Sequence, residues 1–147
     1  MSDYVRSFLT EEQEQSLVDA IIKAELHTSG EIRIHLEKST GNSSAEQRAK
    51  QWFGKLEMHK TAEKNGVLFY LAIQDRKLAL WAGEGINEKV PSNFWQEIID
   101  LMISEFKVSH FSEGLISGVE KTGKALEEFF PRKDDDVDEL SNEISKG

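Results

Sequence analysis

The segment from Asn65 to Gly85, NGVLFYLAIQDRKLALWAGEG, constrains the fold more than any other part of the chain. Val67 to Ile73 is almost wholly apolar, as suits a strand covered on both faces. Asp75 and Arg76 mark a turn, and Leu78 to Ala82 resumes the apolar character, which predicts a second strand antiparallel to the first. Such pairing brings Asn65-Gly66 beside Gly83-Glu84-Gly85. Glycines flanking a lone carboxylate at a strand end imply a backbone that turns sharply or approaches something closely.

The preceding residues supply a parallel partner. Thr10 and Gln13 form a capping-box pattern, and Leu17, Ala20, Ile21 and Ala24 recur at helical spacing up to about His27. Thr28-Ser29-Gly30 breaks that helix. Glu31 to Glu37 then alternates, with Ile32, Ile34 and Leu36 directed inward and Arg33, His35 and Glu37 outward, the pattern of a strand buried mainly on one side. Ser43 and Glu46 read as a second capping box, opening a helix whose face carries Ala45, Ala49, Trp52, Phe53 and Leu56. A strand, a helix and a strand make a parallel crossover, so the Glu31 and Val67 strands start at the same edge, with the Val67 strand central.

Beyond the hairpin, Pro91 and Asn93 precede a helix bearing Phe94, Ile98 and Leu101, and Phe111, Leu115, Val119, Leu126 and Phe129 mark a further one. Gly114, Gly118 and Gly123 lower its propensity and point to close packing. The reading is a three-layer α/β/α sandwich with a small mixed central sheet and about four helices, occupying residues 1–131. Residues 132–147, with six acidic and three basic side chains and only Val137, Leu140 and Ile144 as large apolar ones, read as an acidic, mobile tail.

Composition narrows the function. The absence of cysteine excludes disulfides, thiolate metal sites and a cysteine nucleophile. A net charge of −9 opposes docking on a phosphate backbone, so nucleic acid is not an expected partner. MSDYVRSFLTEEQEQ has no apolar leader, and no later apolar run approaches the ~20 residues of a membrane span, so the expectation is a soluble, cytoplasmic protein with no membrane partner. His27, His35, His59 and His110 show no pair at ligand spacing and read as surface or boundary residues. Ser29 and Ser112 lack the elbow and partners of a nucleophile.

The topology instead gathers Thr28 to Glu31, Lys64 to Gly66 and Gly83 to Gly85 at one sheet end, so Glu31, Asn65 and Glu84 can converge, with Glu88 as a further oxygen donor. Carboxylates and an amide oxygen are hard ligands suited to Ca²⁺ or Mg²⁺. Ser29, Gly30, Gly66, Gly83 and Gly85 are the accompanying loop or contact positions. Solvated side chains and simple turn glycines are the plainer alternative.

TSGEI at 28–32, NGVLFYLAIQDRKLALWAGEGI at 65–86 and FSEGLISGV at 111–119, taken in order, resemble the TPM domain, a family that includes a plant thylakoid lumen protein and many bacterial proteins. The likeness extends over about residues 8–130. It implies an α/β/α sandwich, divalent metal binding in loops at one end of the sheet, with Glu31, Asn65 and Glu84 at matching positions, and an acid phosphatase activity. In the commonest family layout a signal peptide precedes the domain and a membrane helix or Gly-rich tail often follows; the expectation from these residues is a departure from that layout. Two functions follow as expectations. One is a metal site that bridges to a phosphorylated small molecule, with or without hydrolysis. The other is a noncatalytic, metal-ordered module that presents its loops to a protein partner.

Overall fold

The computed structural model describes residues 3–132 and 141–147. After a short helix α1 (Asp3–Arg6), Thr10 caps α2 (Glu11–Glu25): its Oγ1 accepts from Gln13 N at 3.0 Å, and the Gln13 side chain accepts from Thr10 N at 2.9 Å. This reciprocal box satisfies two amides that a helix start would otherwise leave open. The cap of α3 (Ala45–Lys55) is also a box, but it is formed by Ser44 and Gln47. Ser43 and Glu46 are displaced from that role because Ser43 N is already used by Thr40 O in the preceding turn. The one-residue shift leaves Ala49 and Phe53 as the buried face of α3.

The sheet has the order β3-β2-β1-β4. β1 (Glu31–Glu37) and β2 (Gly66–Ala72) are parallel, in register from Glu31↔Gly66 to Glu37↔Ala72. β3 (Lys77–Ala82) returns antiparallel, from Val67↔Ala82 to Ala72↔Lys77, through a turn at residues 73–76 in which Arg76 is left-handed (φ 54°). All seven residues of β2 are buried, as its continuous apolar run requires. β2 is an inner strand, and β1 is inner as well.

One face of the sheet presents Ile32, Ile34, Leu36, Val67, Phe69 and Leu71 to Leu17 and Ile21 of α2, Ile98 and Met102 of α5 (Phe94–Lys107), and Leu115, Val119 and Leu126 of α6 (Phe111–Phe129). Burying each large side chain in this layer contributes roughly 1.5–3 kcal/mol. A methyl at Gly118 would lie 2.8 Å from the Phe69 ring and 2.7 Å from Met102 Sδ, so glycine there lets α6 lie close on both β2 and α5. The other face packs Leu68, Tyr70 and Ala72 against Ala49 and Phe53 of α3 and against Met58, in a 3₁₀ turn (Met58–Lys60). α4 (Glu84–Asn87) is a single turn after β3, where the sequence reads only as a loop.

β4 (Ser145–Lys146) was not expected. It runs parallel to β1, pairing His35 with Ser145 and Leu36 with Lys146. Ile144 enters the main core, and Lys146 pairs with Glu14 of α2. Residues 141–147 are therefore not the mobile end of a tail. Ile144 offers one buried contact, and β1 offers an unpaired edge, a combination that hydropathy alone does not reveal. Residues 133–140 of the expected tail lie outside the described residues. Among the described residues, no helix is long and apolar enough to cross a membrane.

Candidate functional site at the start of the parallel strands

The loop before β1 is fixed from below by Thr28, whose Oγ1 meets the Leu126 and Phe130 carbonyls at the end of α6 and accepts from Gly30 N at 3.0 Å. Gly30 itself lies against Leu126. Glu31 N donates to Asn65 O (3.3 Å), so β1 and the loop before β2 begin together. Ser29 Oγ donates to Glu63 Oε1 and accepts from Asn65 Nδ2, each at 3.1 Å.

The third segment is drawn into direct backbone contact. Gly83 N donates to Gly66 O and Gly85 N to Lys64 O, both at 2.9 Å. A Cβ at Gly83 would lie 2.3 Å from Lys64 O, and one at Gly85 would lie 2.1 Å from Glu63 O. Any side chain at either position would push the loops apart, which is the close approach that a glycine pair makes available.

The expected gathering of segments 28–31, 64–66 and 83–85 is thus present. Glu31 and Asn65 are buried, 3% and 1% exposed. Glu84 stands exposed in the first turn of α4, and Glu88 is exposed just past its end, so these two carboxylates face solvent. Glu63, absent from the sequence reading, joins the network through Ser29. Its only signal is an acidic residue two positions before Asn65. Lys64, the cation of this loop, has its Nζ on His59 O (2.8 Å) instead of on a carboxylate. Oxygen atoms dominate the end of the sheet, and they suit a hard divalent ion better than a soft one. Among the described residues, no group of three or more His, Cys, Asp or Glu side chains is drawn together as a metal-holding set. A cation here would take Asn65, backbone carbonyl or water oxygens beside the carboxylates.

A second polar group lies on the same face of β1, at its far end. Glu37 accepts from Arg48 Nε (2.9 Å) and Nη2 (2.8 Å), from Trp52 Nε1 (2.5 Å) and from Tyr70 OH (3.3 Å). Burial alone would push the Glu37 carboxyl up, but the hydrogen bonds from Arg48 and Trp52 and the Arg48 charge outweigh it and leave it below its ordinary value. The same pair holds the Arg48 guanidinium above its own. Tyr70 is pushed up to about 12, by burial first and then by the Glu37 charge.

His35, expected at the surface or at a boundary, is instead completely buried, stacked on Trp52 with ring centroids 3.8 Å apart. Its Nδ1 lies 2.9 Å from Ser145 Oγ in β4, and its Nε2 is 3.6 Å from Glu37, too far for a hydrogen bond. Burial lowers the His35 pKa to about 4 against the opposing pull of Glu37, so the ring is neutral at pH 7. α3 covers the side of β1 that alternation assigns to solvent, and β4 flanks it at His35. The other three histidines are exposed, as expected.

The family model of the TPM domain matches residues 3–125. Among solved structures, the BA42 protein of the psychrophilic bacterium Bizionia argentinensis is 44% identical, with a TM-score of 0.89 over 99% of this chain and 100% of that one. The N-terminal domain of a protein from P. gingivalis shares the fold at 22% identity (TM-score 0.70, 83% of this chain and 78% of that one). So does the N-terminal domain of the cg2496 protein of Corynebacterium glutamicum, at 11% identity (TM-score 0.64, 80% and 74%). No curated protein matches the chain.

Proposed function

Because the chain belongs to the TPM domain family, we propose that it binds a divalent cation, Ca²⁺ or Mg²⁺, where β1 and β2 begin. The observation that carries this reading is the meeting of three loops through Gly83 and Gly85, which sets Glu31, Asn65 and the Ser29–Glu63 pair beside the segment bearing Glu84 and Glu88. Glu31 and Glu84 are the principal ligands, and Asn65 and Glu88 complete the protein's share.

When bound, the cation supplies positive charge that offsets the carboxylates and offers open positions to an anionic group such as a phosphate. The chain's own part is to hold those carboxylates on loops fixed by backbone contacts. Two carboxylates brought near one another repel, and a cation that favours the gathered arrangement stabilises the fold by mass action. A cation held by Glu84, in α4, and Glu88, just past it, would present its open positions to a phosphorylated small molecule or a protein partner, since both side chains are exposed. Hydrolysis of a phosphate ester is the further step that the TPM resemblance implies.

Calorimetric titration of the full chain with CaCl₂ and MgCl₂, beside hydrolysis of p-nitrophenyl phosphate, tests this reading. Saturable binding that weakens in Glu31→Gln and in Glu84→Gln supports the site. Turnover that follows metal occupancy makes it a phosphatase, and binding without turnover makes it a noncatalytic module. An absence of saturable binding removes the proposal.

A further inference from the structure

The opposite end of the sheet carries a cavity of about 740 Å³, within the ~300–1,000 Å³ range of small-molecule sites. Leu71 and Leu78 line it from β2 and β3, and Ile103, 38% exposed, lines it from α5. Phe8, Phe106 and Phe111 supply an aromatic lining, with Phe8–Phe111 centroids 5.2 Å apart and Phe106–Phe111 centroids 5.5 Å apart. The main core thus opens here as accessible apolar surface.

The charged side chains lining the cavity are Arg76 and Lys107, both exposed and neither in an ion pair among the described residues. Neighbouring carboxylates are engaged elsewhere: Asp75 accepts from Ser39 Oγ and Thr40 N, and Glu105 is held by His110 Nδ1 at 3.2 Å. In a chain of net charge −9, two cations beside an apolar chamber with no lining carboxylate favour an anion attached to an apolar body. Arg76 and Ser109, both on the lining, hold left-handed backbone angles (φ 54° and 64°) uncommon outside glycine.

We propose that this cavity binds a medium-chain aliphatic carboxylate, its chain among the phenylalanines and Ile103 and its head at Arg76 and Lys107. The site is separate from the proposed cation site, because β2 runs seven residues from Gly66 to Ala72, a span of about 20 Å.

Sodium decanoate titrated into the ¹⁵N-labelled full chain reads the site directly. The expected result is saturable shifts centred on Phe8, Leu71, Ile103, Phe106 and Phe111. Neutralising both cations, Arg76→Gln with Lys107→Gln, should weaken binding by about tenfold, as suits two partly solvated charge contacts. Decanol should bind correspondingly more weakly than decanoate, and Ile103→Glu, at a partly exposed position, should abolish decanoate binding while leaving the spectrum folded. No saturable shift at millimolar decanoate, equal affinity for decanol, or unchanged affinity in the double variant would overturn the proposal.

Discussion

At the far end of β1, Glu37 receives hydrogen bonds from Arg48, Trp52 and Tyr70, whereas at the near end Glu31 begins its strand beside Ser29 and Asn65, on loops that meet the segment of Glu84 and Glu88. Both glutamates lie on the α3 side of the strand. The Glu37 end is closed by the chain's own donors, and it serves stability. At the Glu31 end Lys64 is engaged by the His59 carbonyl, and three loops bring together Ser29, Glu63 and Asn65, the arrangement on which the proposed cation site rests. A buried carboxylate therefore does not announce its role by burial alone. The two ends differ in what surrounds them: an arginine, an indole and a phenol at Glu37, and three meeting loops at Glu31.

The largest effect should come from breaking the closed end. Glu37→Ala strands the Arg48 guanidinium, the Trp52 indole N–H and the Tyr70 hydroxyl, and should cost about 3–5 kcal/mol in urea unfolding. Glu31→Gln, which keeps the size of the side chain and one acceptor oxygen, should cost less when measured the same way without added metal. Equal losses would erase the contrast between the two ends.

Acid should attack the same end next. The folded state holds His35 at about 4, below the ordinary 6.5, so its stabilising contribution is present above pH 6.5 and is lost as pH falls toward 4, about 3 kcal/mol in all. Glu37, also lowered, adds a loss at still lower pH. The urea midpoint followed from pH 7 to pH 4 should fall in the wild type and fall less in His35→Gln. A midpoint constant from pH 7 to pH 5 would mean that His35 is not held neutral.

A smaller effect belongs to the end where the three loops meet. Gly85→Ala places a methyl 2.1 Å from Glu63 O and should cost about 1–3 kcal/mol as the loops separate. Gly54→Ala is the control. Nothing lies within 4 Å of a Cβ there, on an exposed stretch of α3, so it should stabilise by roughly 0.5–1 kcal/mol. Thermal melts of the two variants should therefore move in opposite directions.

Much of this framework is legible in the residues. Continuous apolarity from Val67 placed β2 inside the sheet, the Asp75-Arg76 pair located the hairpin, and the strand–helix–strand order set β1 parallel to β2. Gly83 and Gly85 signalled the close approach that their contacts with Glu63 and Lys64 now explain. The far end of β1 was not legible, because alternation reports polarity and not cover: His35 and Glu37 are polar yet lie beneath α3, and Ser145 of β4 meets His35 from the side. β4 left little trace, since two paired residues and one buried isoleucine have no periodicity. Glu63 was missed because its link to Ser29 spans 34 positions in sequence. Glu84, in α4, and Glu88, just past it, are both exposed, a placement that a segment read as a plain loop does not fix.

The proposed divalent cation would act at the Glu31 end of β1, supplied from outside the chain. An NMR titration of the full chain with Ca²⁺ tests it most directly, comparing the wild type with the Glu31→Ala, Glu84→Ala double variant. Saturable shifts at residues 29–31, 63–66 and 83–88, with affinity reduced at least about tenfold in the double variant, are predicted. Shifts confined to the acidic stretch after Pro131, or the same affinity in both proteins, would contradict it.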